Sequence, residues 1–141
     1  MNLKKNNQVQ LNRYYWGNQY EFETGVAGSK EILYLGGDAY SAAAVYVKEG
    51  SGAWVVYYLC RDYLGSITHT VNSSGGLKQE LSYDAWGRLR NPANQTLYAV
   101  GAEPTLFLGR GYTGHEHLTA FGLINMNARL YDPVIGRFLS P

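Results

Sequence analysis

Two groups of side chains in this sequence are of types that could do chemistry: His115-Glu116-His117, and Arg129 with Asp132. A metal centre needs ligands at set spacing, and here the two His are only two apart, without a third ligand nearby and without a helical His-Glu-x-x-His pattern. No metal site is expected, no cofactor is implied, and Glu116 is read as bonding a backbone turn or an Arg. Asp132 stands just before Pro133, where a carboxylate commonly starts a turn. Peptide hydrolysis by carboxylates needs two that share one proton, one activating water and the other polarising the carbonyl. One Asp cannot divide those roles. Arg129 could hold a carboxylate ionised or bind a developing oxyanion. It could equally serve as a cross-strand partner for a Glu or cap exposed carbonyls.

The elements that must position these groups show a repeated grammar. Arg61-Asp62-Tyr63-Leu64-Gly65, Tyr83-Asp84-Ala85-Trp86-Gly87 and Tyr131-Asp132-Pro133-Val134-Ile135-Gly136 each open a turn with Asp and close it with Gly. Asp at the first position of a type I turn accepts a hydrogen bond from backbone two residues on, and the closing Gly supplies the positive φ from which the next strand starts. The turn motif is therefore assigned to Asp62, Gly65, Asp84, Gly87 and Gly136. The last copy has one more residue and a Pro, so its turn must be built differently. Asp62 and Asp84 are 22 positions apart, the length of two strands and two turns in a repeat that cannot bury its own face alone.

Along the chain, residues 1–10 are polar and read as a frayed lead-in. Asn12 to Trp16 and Gln19 to Thr24 read as a hairpin about Gly17-Asn18, with Tyr20 and Phe22 on one face and Glu21 and Glu23 on the other. Glu31 to Leu35 is a short strand. Ala42 to Lys48 and Ala53 to Cys60 form a pair whose nearly continuous apolar character suggests burial on both faces. Ser66 to Val71 and Leu77 to Tyr83 alternate, with His69 on the apolar face as a packed core residue, and Asn72 to Gly76 forms a looser loop between them. Asn91 to Glu103 is an irregular loop about a short strand at Leu97 to Val100, and Leu106 to Leu108 resumes a strand. Gly109 to Gly114 is a turn cluster, because no Lys-Ser or Lys-Thr follows to make a phosphate loop. Leu123 to Tyr131 reads as one strand, with Ile124, Met126, Ala128 and Leu130 on one face and Asn125, Asn127, Arg129 and Tyr131 on the other.

Composition agrees with an all-β fold of antiparallel hairpin repeats: 13 Tyr, 3 Trp and 17 Gly stand against 4 Pro in 141 residues. The formal charge is +1, with no basic stripe, so no nucleic-acid partner is expected. No signal peptide and no membrane insertion are expected either. Cys60 is the single cysteine, which excludes an internal disulfide. The many Tyr could line a glycan-stacking surface, or simply be good strand formers.

Tyr83-Asp84-x-x-Gly87-Arg88-Leu89, Tyr112-Thr113-Gly114-x-Glu116, Gly122-Leu123 and Ala128-Arg129-x-Tyr131-Asp132-Pro133-x-x-Gly136-Arg137-Phe138 together resemble the RHS (YD-repeat) family, in particular its RHS repeat-associated core domain. The resemblance is strong from about Tyr58 to Pro141. The chain thus divides into a lead-in (1–10), hairpins preceding the core (11–57) and a core domain truncated at its C-terminal end (58–141). The resemblance implies β-hairpins spiralling into a hollow shell, with a core domain that plugs one end and cuts the chain to release an enclosed C-terminal cargo, often a toxin. It implies an extracellular or cell-surface setting, and as partners the remainder of the shell and that cargo. The cut is ascribed to aspartyl-protease chemistry. By that likeness Arg129 and Asp132 match catalytic positions, and the second Asp, expected in an Asp-Pro directly after Ser140-Pro141, is absent from this chain. The expectation is a structural module that is inactive as it stands. The alternatives are a self-processing aspartyl protease and a carbohydrate-binding surface β-domain.

Overall fold

The computed structural model describes residues 1–139. It is built of antiparallel strands joined by short turns, and falls into two compact units. Met1–Leu59 with Val71–Gly76 make the first, and Cys60–Thr70 with Leu77 onward the second.

In the first unit the strands β1 (Asn2–Lys5), β2 (Gln8–Trp16), β3 (Tyr20–Gly25), β4 (Gly28–Leu35), β5 (Ala44–Glu49) and β6 (Val55–Arg61, which leads into the second unit) pair in chain order. The first ten residues are not frayed. Lys5 pairs with Gln8 around Asn6 and Asn7, whose φ of 52° and 61° make a tight two-residue hairpin. Asn tolerates positive φ better than any other non-Gly residue, so the polarity that suggested disorder is turn chemistry. The start of the chain is tied down by the Met1 amine donating to the Arg13 carbonyl at 2.5 Å and the Arg13 N–H donating to the Met1 carbonyl at 2.8 Å.

Pairing of Trp16 with Tyr20 and of Tyr14 with Phe22 sets the hairpin about Gly17-Asn18, and it puts Tyr20 and Phe22 opposite in facing to Glu21 and Glu23. The glutamate side, however, is the buried one. Ile32, Tyr34, Val45 and Val47 are buried there together with Arg13 and Glu21. Arg13 makes this tolerable: its guanidinium bonds Glu23 and lies 4.0 Å from Glu21. Paired charges can be buried where lone ones cannot.

The opposite face stays open. Tyr14 (49%), Trp16 (58%) and Tyr46 (40%) keep large exposures, and Tyr14, Trp16, Phe22 and Tyr20 form a row of rings 5.6 to 6.1 Å apart. The expectation of burial on both faces of β5 and β6 is therefore corrected. Tyr46 and Tyr58 are exposed on the open side and Val55 at the start of β6 is exposed too, leaving Val45, Val47 and Leu59 as the buried residues of the pair. Within the open face the Tyr20 hydroxyl donates to Glu31 at 2.5 Å and Lys48 reaches the same carboxylate at 2.9 Å. The hydrogen bond from Tyr20, with that from Lys48, holds the Glu31 carboxyl below its ordinary range, and donating to that carboxylate, with burial, pushes the Tyr20 phenol up to about 12.

The second unit contains β7 (Ile67–Asn72, whose last two residues count with the first unit), β8 (Leu77–Glu80), β9 (Ser82–Tyr83) and β10 (Leu89–Arg90), then a four-stranded sheet. That sheet runs β11 (Glu116–Leu118), β12 (Leu123–Met126), β13 (Arg129–Asp132), β14 (Arg137–Phe138) in order. Three sequence expectations fail here. His69 is not packed in the core, since its side chain is 44% exposed and stands 3.6 Å from Glu80. Leu106–Leu108 are buried but form a turn, closed by Gly109 N–H to the Leu106 carbonyl at 3.0 Å. Among the described residues Leu97–Val100 makes one bridge, Leu97 to Arg90.

Candidate functional site

Three turns are superposable in their hydrogen bonding. Asp62 Oδ1 accepts from Leu64 N–H at 2.9 Å and Ser66 N–H at 2.8 Å, and the Gly65 N–H closes on the Asp62 carbonyl at 3.0 Å. Asp84 Oδ1 accepts from Trp86 N–H and Arg88 N–H, both at 2.9 Å, with Gly87 N–H on the Asp84 carbonyl at 3.2 Å. The loop expected to be looser is a third copy. Asn72 Oδ1 accepts from Ser74 N–H at 3.1 Å and Gly76 N–H at 2.7 Å, and Gly75 N–H closes at 3.0 Å. Gly65, Gly75 and Gly87 have φ of 84°, 81° and 92°. One side-chain oxygen thus satisfies two backbone donors that a tight turn would otherwise leave without partners. The amide of Asn72 does the work of the two carboxylates, and for that reason an Asp-to-Gly pattern did not find it.

The Asp132 turn is built differently, as its extra residue requires. Asp132 Oδ1 accepts from Val134 N–H at 2.8 Å and more weakly from Ile135 N–H at 3.4 Å, and Gly136 takes φ 64°. Pro133 has no N–H to offer.

Arg129 and Asp132 sit at the two ends of β13. The single long strand expected over Leu123 to Tyr131 is instead the hairpin of β12 and β13, turning at Asn127 (φ 62°) and Ala128 so that Met126 pairs with Arg129 and Ile124 with Tyr131. Pairing across a two-residue turn reverses the expected facing: Arg129 and Tyr131 share a face with Ile124 and Met126. Ile124 and Tyr131 are buried and Leu130 is exposed. The Arg129 guanidinium lies 3.8 Å over the Phe138 ring, and Phe138 meets Tyr131 edge-on at 5.4 Å. Burial raises the Tyr131 phenol above its ordinary value. Arg129 and Asp132, three apart on one strand, project to opposite faces of it. Ser140 and Pro141, after which the second Asp would be sought, lie outside the described residues.

The His115-Glu116-His117 side chains turn to different partners. His115 Nδ1 is 2.8 Å from the Thr113 hydroxyl, and burial followed by the nearby Arg110 lowers its pKa. Glu116 lies 3.5 Å from Arg110 and accepts from Asn125 Nδ2 at 2.8 Å, so the expected Arg contact is present. His117 Nε2 accepts from Tyr112 N–H at 3.0 Å, which makes Nδ1 the protonated nitrogen of the neutral ring. Burial depresses its pKa to about 4.

What sequence reasoning missed is how the Gly109–Gly114 cluster joins two of the turns. Ile67 N–H donates to the Gly111 carbonyl at 3.0 Å, and Thr113 N–H to the Ser66 hydroxyl at 3.0 Å. On the other side the Tyr112 hydroxyl donates to the Ala85 carbonyl at 3.0 Å, and the Tyr112 ring lies where a Cβ on Gly87 would be, 2.5 Å from it. Tyr83 donates to the Ile67 carbonyl at 2.7 Å, and its ring lies 5.8 Å from that of Tyr112. The arrangement locks turns together.

Comparison with known proteins agrees with this construction. A 47-residue stretch is 45% identical to Salivary gland surface protein 1 of Aedes aegypti, covering 33% of this chain and 1% of that protein. Two solved structures, described as the crystal structures of TcdB2-TccC3-TEV and TcdB2-TccC3, match 99% of the chain with TM-scores of 0.67 and 0.65 at 20% and 21% identity. The chain spans 7% of each, and at that identity the likeness establishes the fold. Residues 49–141 match the Teneurin YD-shell family, and with three hydrogen-bonded Asx-x-x-Gly turns between antiparallel strands this chain belongs to that YD/RHS shell family.

Proposed function

We propose that this chain is a structural module of an RHS/YD-repeat shell that encloses a C-terminal cargo, with residues 58–141 as its core domain. The observation that carries the reading is the repeated turn at Asp62, Asn72 and Asp84, in each of which one side-chain oxygen accepts from two backbone N–H groups between successive strands. The edge strand β1 pairs with β2 alone within its unit, so an added hairpin could extend the sheet there. Expressed within its complete reading frame, the polypeptide following Pro141 should resist trypsin until the shell is denatured. Digestion at the rate of the free segment, or a frame with nothing after Pro141, refutes enclosure.

A second reading is self-cleavage near the C-terminal end, with Arg129 and Asp132 in the site. It is supported by Arg129 lying over Phe138, on the strand that leads directly to Ser140. Holding a scissile segment against a fixed charge raises its effective concentration. In a chain carrying the native continuation, Arg129→Ala should leave the polypeptide whole and Asp132→Asn should slow its cutting, read by mass spectrometry of both fragments. Unchanged cutting in both variants sinks this reading and leaves the shell reading standing. The open aromatic row Tyr14, Trp16, Tyr20 and Phe22 is where a glycan could stack, which a glycan array tests directly.

A further inference from the structure

The loop from Asn91 to Thr96 carries a pattern for which the shell reading has no use. Asn94-Gln95-Thr96 is an Asn-x-Thr triplet without a central Pro, the acceptor pattern of N-linked glycosylation, and Asn72-Ser73-Ser74 is a second. The structure separates the two.

Asn94, Gln95 and Thr96 are all exposed. The loop around them is closed by Asn91 N–H to the Thr96 carbonyl at 2.8 Å, Gln95 N–H to the Asn91 carbonyl at 2.7 Å and Ala93 N–H to Asn91 Oδ1 at 2.9 Å. Asn94 Oδ1 accepts from Thr96 N–H at 3.0 Å and from the Thr96 hydroxyl at 2.7 Å. Both of the Asn94 side-chain contacts use its amide oxygen. Among the described residues the Asn94 Nδ2 donates no hydrogen bond, so a substituent on it displaces nothing. Asn72 differs. Its Oδ1 holds the turn, and its Nδ2 lies 2.8 Å from where a Cβ on Gly76 would stand. The Asn72 amide thus packs beside Gly76 while its oxygen holds the turn, so a substituent on that nitrogen has to share the space next to Gly76.

We infer that Asn94 is an acceptor site for an N-linked glycan and that Asn72 is not. In the transfer, Asn94 Nδ2 attacks the anomeric carbon of a lipid pyrophosphate-linked oligosaccharide. The C–N bond forms, the C–O bond to pyrophosphate breaks, the lipid pyrophosphate leaves with the electron pair, and an amide proton passes to a base of the transferase. The inference does not rest on the shell reading.

The test directs the full chain into the endoplasmic reticulum of insect cells behind a cleavable signal. Total lumenal protein is then compared before and after peptide N-glycosidase, by intact mass and peptide mapping. One glycan is expected, located at Asn94. Asn94→Gln and Thr96→Ala should lack it, while Thr96→Ser and Ser74→Ala should retain it. Reading total lumenal chain makes the result independent of export. A wild-type chain without glycan, a glycan that survives Thr96→Ala, or glycans on both asparagines overturns the inference.

Discussion

Gly87, Gly65 and Gly75 occupy the same position in the same turn, yet they should tolerate a methyl group very differently. All three have φ between 81° and 92°, so Ala at any of them carries the left-handed backbone penalty, about 1–2 kcal/mol. A Cβ at Gly65 or Gly75 meets nothing within 4 Å. A Cβ at Gly87 would stand 2.5 Å from Tyr112 Cδ1 and 2.7 Å from Cγ, near the stem of the ring, where no flexible end can swing away. Displacing the ring adds an overpacking term of about 1–3 kcal/mol and strains the Tyr112 hydrogen bond to Ala85, worth about 1 kcal/mol. Gly87→Ala should therefore cost about 3–6 kcal/mol, against about 1–2 kcal/mol for Gly65→Ala and Gly75→Ala. Urea denaturation followed by tyrosine and tryptophan fluorescence measures all three. Removing the ring supplies the internal control, because in a Tyr112→Ala background the cost of Gly87→Ala should fall to that of Gly65→Ala. Equal midpoints for the three single variants, or a Gly87→Ala cost that ignores the loss of the ring, would refute the reasoning.

The turn at Asn72 implies that an amide can replace the carboxylate. Asp84→Asn should then stay within about 0.5 kcal/mol of wild type, while Asp84→Ala, which strips the acceptor from Trp86 and Arg88 N–H, should lose about 1–3 kcal/mol; thermal melts that rank the two together would count against it. His117 makes a pH prediction. Its folded pKa of about 4 lies below the ordinary 6.5, so between these values the unfolded chain binds the extra proton and stability rises with pH. The contribution is fully present above about pH 6.5, declines as pH falls towards 4 and levels off below it. His117→Gln, which keeps an acceptor for Tyr112 N–H, should flatten that slope, and an unchanged pH profile of urea midpoints would show that His117 does not carry it.

Local chemistry was legible in the chain wherever a single residue type dictates the backbone. Asp62, Asp84 and their closing glycines could be read directly, because the hydrogen bonds that define those turns span five residues and need no distant partner. The same reading stopped short at Asn6, Asn72 and Asn127. In each case an Asn stands at a turn, but its polarity in a polar segment, or its continuity with an alternating one, pointed to a lead-in, a loose loop or a longer strand.

The all-β class, the hairpin repeat and the position of the last turn thus follow from the sequence alone, because period-two alternation and Asx-to-Gly spacing are properties of short segments. Which face is covered follows from tertiary structure. Glu21 looks solvent-facing by type, but it is buried because Arg13 arrives beside it from β2 with a compensating charge. The direction of Arg129 was likewise out of reach. A two-residue turn at Asn127 and Ala128 reverses the parity of the following strand, so the guanidinium lies over Phe138 rather than along a polar face with Asn125. The docking of Tyr112 on Gly87 joins residues 25 positions apart, and only long-range packing could decide it, because no local rule specifies which ring fills the space a glycine leaves.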